Sequence, residues 1–186
     1  MDGTVVVRSG VTDIGAGQVS ALGQIAAEVL GVTLDNVVIY NSDSAVTPLA
    51  GTTTATRALY MTGNAVKQAA EGVRARLVER AAREFGIEPD AVDMGDNRVF
   101  AVDSPEKSMP LVELVRRCGA EGVHRSELAM FRAPFTDFLD PETGQGQAHP
   151  DYAYGAHAVE VAVDVDTGEV EVLKSVAPPP PPAPCT

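Results

Sequence analysis

The apolar positions in the first half of the chain follow two patterns, one typical of strands and one typical of helices. Residues 4–8 (TVVVR) and 37–40 (VVIY) are short runs rich in β-branched side chains, and each predicts a strand. Apolar side chains at helical spacing follow each run: Val19, Leu22, Ala26 and Val29 after the first, and Val66, Ala70, Val73, Leu77 and Ala81 after the second. The pattern predicts strand, helix, strand and helix in succession, with Gly31 ending the first helix.

Each predicted strand is joined to its helix by a turn rich in glycine or threonine. The first turn spans residues 13–18 (DIGAGQ) and the second spans residues 51–57 (GTTTATR). The start of a helix offers unpaired backbone N–H groups and a partial positive charge, and glycine lets the chain approach an anion closely. We therefore expect helices beginning near Gly17 and Thr56 to point their N-termini toward one cleft and to hold one phosphorylated ligand. The same residue types also cap helices in connections that bind nothing, so that alternative stays open.

The rest of the chain predicts two hairpins and one short helix. Residues 91–103 have the pattern of a hairpin that turns at Gly-Asp-Asn, and residues 158–176 have that of a second hairpin. Pro110 opens the short helix, which Ser108 can cap. Residues 126–140 hold three of the five phenylalanines and predict either a buried crossover, which we favour, or the wall of a substrate channel.

Several blocks of sequence resemble, in the right order, one protein family. They are DIGAGQ at residues 13–18, QIAAEVLG at 24–31, TATRALYMTGNAV at 54–66, YGAH at 154–157, EVAVD at 160–164 and TGEV at 167–170. Through these blocks the chain resembles, over residues 3–177, part of the molybdenum-binding large subunit of the xanthine dehydrogenase and aldehyde oxidase family.

This resemblance implies an α+β fold, the molybdopterin-binding domain of molybdenum hydroxylases, with mixed sheets and packed helices. We expect the domain to occupy residues 1–177 in one or two lobes, followed by a proline-rich disordered tail at residues 178–186. The resemblance further implies a molybdopterin-type molybdenum cofactor, plain or as its cytosine dinucleotide, and hydroxylation of a purine, N-heterocycle or aldehyde with oxygen from water. It also implies partner subunits or domains that carry iron–sulfur clusters and FAD.

The resemblance assigns cofactor-binding residues to both turns. The family's Gly-Gln-Gly motif, which contacts the pterin, falls on Gly15, Ala16 and Gly17. Ala16 has no side-chain amide, and Gln18, which could substitute for it, would leave the turn in another direction. The family's Thr/Ser-rich pterin and phosphate motif falls on four residues whose hydroxyls and guanidinium suit oxygen acceptors: Thr53, Thr54, Thr56 and Arg57. A later Gly-Gln-Gly at residues 144–146 has no helical pattern after it, so we interpret it as a surface loop.

Composition argues against several other classes of function. A formal net charge of −12 disfavours nucleic acid and an anionic membrane surface as partners. The sequence contains no apolar run long enough to span a bilayer and no signal-peptide pattern, so we expect a cytoplasmic protein. Cys118 and Cys185 are too few for an iron–sulfur cluster or a zinc site, and the three histidines lack metal-ligand spacing. We therefore predict no metal ligand and no catalytic residue in this chain.

Two functions remain open, and they differ in class. The family's general base is a glutamate in a later Gly-x-Gly-Glu block, which has no counterpart here, and family members continue much further. We expect an excerpt of a larger hydroxylase subunit that is catalytically silent by itself and binds the free cofactor weakly. The alternative is a binding or assembly module that keeps the fold without catalysis, which the alanine at position 16 favours.

Overall fold

Two strands and two helices alternate at the start of the chain. The computed structural model describes residues 2–134, 137–149 and 155–177. Strand β1 (Val5–Ser9) precedes helix α1 (Gln18–Leu30), and strand β2 (Val37–Asn41) precedes the long helix α2 (Arg57–Phe85). The two strands pair in parallel, from Val5 with Val37 to Ser9 with Asn41. The order that the hydrophobic pattern predicts is thus confirmed, and the parallel pairing brings the carboxyl ends of both strands to one edge.

The ends of α1 follow from its sequence, but its buried face differs from the predicted one. Gly31 ends the helix in the left-handed conformation at φ 62°, and its N–H and that of Val32 close the last turn on carbonyls of α1. Leu22 and Ala26 are buried as expected, whereas Val19 is only partly buried. Gln18 takes the buried position next to it, so the buried stripe begins one residue earlier than predicted.

The middle of the chain forms an antiparallel sheet followed by a third helix. Strands β3 (Val92–Gly95), β4 (Arg98–Ala101) and β5 (Ser104–Pro110) pair in the order β3-β4-β5, and helix α3 (Leu111–Ala120) comes next. The turn between β3 and β4 has positive φ at both central residues, 49° and 60°, as a type I′ hairpin requires. This hairpin is confirmed.

The predicted cap of the third helix is wrong. Ser108 lies within β5, paired with Phe100, and Arg98 donates a hydrogen bond to its hydroxyl. Pro110 is the capping residue, and no side chain caps the helix. The strand continues up to the proline because the ladder with β4 satisfies its backbone groups, so no serine cap is needed.

Buried apolar side chains tie these elements together. The main core draws on α1, α2, α3 and the antiparallel sheet: Ala27, Leu30, Val32, Ala70, Leu77, Ala81, Ala82, Val92, Met94, Val99, Met109, Leu111, Leu114 and Cys118. Polar contacts reinforce it, because Arg74 of α2 binds both the Val29 carbonyl of α1 and the Asp93 carboxylate of β3. A smaller core of Val11, Leu22 and Ala58 joins the loop after β1 to the beginnings of α1 and α2.

The chain divides into two compact units, residues 1–132 and 133–186. In the second unit, β6 (Ala158–Val163) and β7 (Val170–Val176) form the predicted hairpin. The loop before it at residues 140–145 and the hairpin turn at residues 164–169 share one design. In both, an aspartate accepts two backbone N–H bonds and a threonine hydroxyl accepts a third. The Gly-Gln-Gly at 144–146 begins within the first of these loops, and among the described residues 147–149 and 155–177 no helix follows it, as expected.

Two other expectations concern residues 126–140 and the end of the chain. The favoured buried crossover is wrong for the described part of residues 126–140, since Leu128, Met130 and Phe138 are exposed. The proline-rich tail at residues 178–186 lies outside the described residues. Within the described ranges, no helix is both long and apolar enough to cross a membrane.

Candidate functional site

The carboxyl ends of β1 and β2 support two loops that pack tightly against each other. The N–H of Ser42 donates to the Ser9 carbonyl at 3.2 Å, and the Ser42 hydroxyl donates to the Val11 carbonyl at 2.9 Å. A Cβ atom at Gly10 would lie 2.1 Å from the Pro48 carbonyl oxygen, so only glycine lets the loops approach this closely. In open sheets with parallel strands, this edge is where ligands bind.

The two predicted turns lie side by side at this edge. The N–H of Thr12, directly before the first turn, donates to the hydroxyl of Thr53 in the second turn at 3.2 Å, a contact across 41 residues of sequence. Helix α1 begins after Gly17 and helix α2 begins after Thr56, as expected. The small core of Val11, Leu22 and Ala58 holds the beginnings of both helices together.

The first turn leaves open space above its backbone. Gly15 has φ 100° and Gly17 has φ 73°, conformations that favour glycine. A Cβ atom at either position would have no atom within 4 Å, so another molecule can come close to the backbone here. Ala16 lies between them, exposed, and offers no side-chain hydrogen bond.

The backbone N–H groups of the first turn already face a carboxylate of the chain itself. Asp13 accepts a hydrogen bond from Gly15 N at 2.8 Å and a longer one from Val19 N at 3.4 Å. The Gly15 amide, and to a lesser degree those of Val19, Gly17 and Ala16, lower the pKa of the Asp13 carboxyl. Sequence reasoning gave this residue no role of its own, although an aspartate two residues before a glycine is a recognisable signal for such a turn.

Gln18, a candidate in place of the missing glutamine, is enclosed by the protein. Its side chain is only 3% exposed, and its Oε1 is buried. Among the buried side-chain polar atoms of the described residues, this oxygen alone has no hydrogen-bond partner. Burying an oxygen without a hydrogen-bond partner costs free energy, and Gln18 therefore has an unused acceptor beside the first turn.

The second turn presents hydroxyls and one guanidinium. Thr54 and Thr56 are exposed, and Thr53 is partly buried because it bonds to the first turn. Arg57 is exposed and donates from Nη1 to the Thr52 carbonyl at 2.8 Å, which holds the guanidinium over its own turn. Its other N–H groups form no hydrogen bond within the part of the chain that the structure describes. This turn therefore offers positive charge and hydroxyl donors to an anion.

An apolar cleft of about 1170 Å³ runs from the second turn along β1 and α2. Arg57 and Gly51 line it, together with the segment 125–131. Arg76 holds this segment by binding the carbonyls of His124 and Ser126, each at 3.0 Å. The cleft thus combines apolar walls with a cation near the two turns, as ligand sites commonly do.

The donors of the second turn fit an anion such as phosphate, and the open backbone of the first turn leaves room for another part of the same ligand. Glycines open the backbone of one turn, and hydroxyls with a guanidinium define the other. Within residues 2–134, 137–149 and 155–177, no group of three or more His, Cys, Asp or Glu side chains could hold a metal ion directly.

Known proteins match this chain over most of its length. The profile of the molybdopterin cofactor-binding domain family matches residues 1–178. A probable xanthine dehydrogenase subunit of Bacillus subtilis (strain 168) is 29% identical over 88% of this chain and 20% of its own length. The nicotine 6-hydroxylase large subunit of Paenarthrobacter nicotinovorans is 26% identical over 87% of this chain and 19% of its own. The chain therefore spans about a fifth of the length of these curated relatives.

Solved structures of quinoline 2-oxidoreductase and of CO dehydrogenase share the fold of this chain. Quinoline 2-oxidoreductase from Pseudomonas putida 86 aligns over 95% of this chain and 22% of its own, with 25% identity and a TM-score of 0.73. CO dehydrogenase from Oligotropha carboxidovorans aligns over 95% of this chain and 21% of its own, with 22% identity and a TM-score of 0.76. At that identity the second match concerns the fold alone. Both confirm the α+β fold of mixed sheets and packed helices.

Proposed function

Because this chain belongs to the molybdopterin cofactor-binding domain family, we propose that its two adjoining turns hold the cofactor of a molybdenum hydroxylase. The contact between Thr12 and Thr53 carries the proposal, since it brings both turns to one place. When bound, the cofactor supplies the redox chemistry of a hydroxylation that takes its oxygen from water. The chain supplies binding and orientation.

The two turns divide this work. Gly15 and Gly17 give a flat ring access to the backbone of the first turn, because no Cβ stands in the way. Thr54, Thr56 and Arg57 hold phosphate oxygens at the second turn, where hydroxyls and a guanidinium supply charge-assisted hydrogen bonds. A cytosine dinucleotide form of the cofactor would extend from the same phosphate.

The names of relatives support a class of substrate. Xanthine dehydrogenase, nicotine 6-hydroxylase and quinoline 2-oxidoreductase are named for nitrogen heterocycles. We infer a small-molecule substrate of the purine, N-heterocycle or aldehyde class for the hydroxylase to which the chain contributes. We also infer partner subunits or domains with iron–sulfur clusters and FAD, and neither nucleic acid nor membrane as a partner.

The 186 residues by themselves are proposed to be catalytically silent. Glu160 and Glu169 are the tempting bases, but both are exposed to solvent, Glu160 in β6 and Glu169 in the turn before β7. Proton transfer needs a base within about 3 Å of the reacting group or one water away. A second candidate function is a binding or assembly module without catalysis, and the exposed Ala16 favours it because the turn lacks a side-chain amide.

Cofactor binding by matched variants tests the site. The purified chain is dialysed against isolated molybdenum cofactor, and bound molybdenum and pterin are measured at equilibrium, because a weakly held cofactor would be lost on gel filtration. Arg57→Ala should reduce both, whereas Arg83→Ala, an exposed arginine in the last turn of the same helix, should leave both unchanged. Measurable binding by the unaltered chain that Arg57→Ala leaves undiminished would exclude the second turn as the phosphate site.

A gain-of-function variant separates the two candidate functions. Ala16→Gln restores Gly-Gln-Gly at an exposed position whose φ is not positive, so the turn can accept it. For a hydroxylase component we expect Ala16→Gln to increase cofactor retention. If neither Ala16→Gln nor the unaltered chain binds the cofactor, the result would favour the module without catalysis. Substrate hydroxylation by the chain with an artificial electron acceptor would refute the proposed silence.

A further inference from the structure

Asp13 is placed so that its charge meets the start of α1. It lies five residues before Gln18, the first residue of the helix, and its carboxylate reaches Val19 N in the first helical turn. Oδ1 accepts from Gly15 N at 2.8 Å and Oδ2 accepts from Val19 N in the first helical turn at 3.4 Å. Both carboxylate oxygens are thus engaged by backbone amides.

These amides are the ones that would bind an anion at this turn. A helix N-terminus attracts phosphate through its free N–H groups and its dipole. Here the Gly15 and Val19 amides have a partner, and the partner carries a full negative charge. A phosphate at the same place would have to displace the carboxylate or lie beside it, and both arrangements are unfavourable.

The second turn differs in this respect. It contains no acidic residue from Gly51 to Arg57, and Arg57 lies over it. The α2 helix has no side-chain cap and no acidic residue in its first turn. A phosphate therefore meets a negative carboxylate at the first turn and a positive guanidinium at the second, although the two turns adjoin each other.

We propose that Asp13 is a positioning and specificity residue that shapes the Gly15-Ala16-Gly17 turn, excludes phosphate from the start of α1 and confines the ligand's phosphate to the second turn. This deepens the proposed cofactor site, on which it rests. The first turn is thereby left to the uncharged part of the ligand. The negative charge of Asp13 thereby sets the orientation of the ligand across the two turns.

Inorganic phosphate tests the exclusion without the cofactor. In ¹H–¹⁵N NMR spectra of the full chain, we expect phosphate to move the amide signals of residues 53–57 but not those of residues 15–19. Asp13→Ala should bring phosphate-dependent shifts to residues 15–19, with affinity raised about tenfold or more there by the loss of the charge. Asp13→Asn keeps an acceptor for Gly15 N, so it should preserve the turn yet gain the same response.

Asp164 provides the matched control, because its carboxylate also accepts two backbone amides in a turn but belongs to the second unit. Asp164→Asn should leave the phosphate response of residues 15–19 unchanged. Shifts at residues 15–19 in the unaltered chain as large as those at 53–57 would overturn the proposal. The absence of phosphate-dependent shifts at residues 15–19 in both Asp13 variants would also overturn it. An Arg57→Ala variant that binds the cofactor as well as the unaltered chain would refute the proposed function and not this inference, since the phosphate experiment contains no cofactor.

Discussion

Replacing Gly31 with alanine should destabilise the protein more than the same replacement at Gly86, although both glycines end a helix in the same conformation. Gly31 follows α1 with φ 62°, and Gly86 follows α2 with φ 68°. In both cases the next N–H bonds back to a carbonyl of the last helical turn. The two sites differ in their surroundings.

The difference in free energy can be worked from the space at each site. A Cβ atom at Gly31 would lie 2.4 Å from the Met94 carbonyl carbon and oxygen and 2.6 Å from Gly95 N, all of them backbone atoms of β3. At Gly86 no atom lies within 4 Å. The left-handed conformation costs alanine about 1–2 kcal/mol at either site. Forcing the backbone of β3 away from α1 adds about 1–3 kcal/mol at Gly31 only.

Urea unfolding followed by circular dichroism measures both variants. We expect Gly86→Ala to lose about 1–2 kcal/mol and Gly31→Ala about 2–5 kcal/mol of unfolding free energy, with unchanged m-values. Equal losses would show that β3 can move away from α1 without cost, and would refute the argument that this contact is tight.

Three further predictions follow from other contacts. The hydrogen bond from Arg80 lowers the pKa of Glu121 in the folded protein. This ion pair therefore stabilises the fold at pH values above the unfolded carboxyl pKa of about 4.3, and the stabilisation is lost as the pH falls through the lower folded pKa. Arg80→Met should flatten that acid dependence in urea titrations. Cys118 is fully buried, and burial raises the pKa of its thiol, so in a Cys185→Ser background it should react with Ellman's reagent only after unfolding. Thr53→Val should cost about 1 kcal/mol by leaving Thr12 N without its acceptor, whereas valine at the exposed Thr54 should cost little.

The order of elements could be predicted because each signal is local. The β-branched runs at residues 4–8 and 37–40 became β1 and β2, and the helical spacing after each became α1 and α2. Gly31 ended α1 because a left-handed residue was needed there. The family assignment drew on the same local blocks, and the profile match over residues 1–178 confirms it.

Predictions failed where a distant partner decided the outcome. Ser108 was expected to cap a helix, but it lies in β5 and pairs with Phe100 of β4. Hydrogen bonds between the strands satisfy more backbone groups than a single serine hydroxyl would at the start of a helix. Val19 was expected on the buried face of α1, but Gln18 is the buried residue of this pair. Helical spacing alone places Gln18 and Val19 within one turn and cannot decide which of them meets the core.

The contact between the two turns shows why the candidate site needed a structure. Each turn can be found in the sequence, yet nothing local says that Thr12 lies beside Thr53. Their meeting depends on parallel pairing of β1 with β2 and on Gly10, whose missing Cβ lets the loop from β2 pass within contact of the loop from β1. A side chain at position 10 would separate the loops and break the Thr12–Thr53 bond. On the proposed function, a chain with separated turns should no longer hold one ligand between them, although each turn keeps its own sequence.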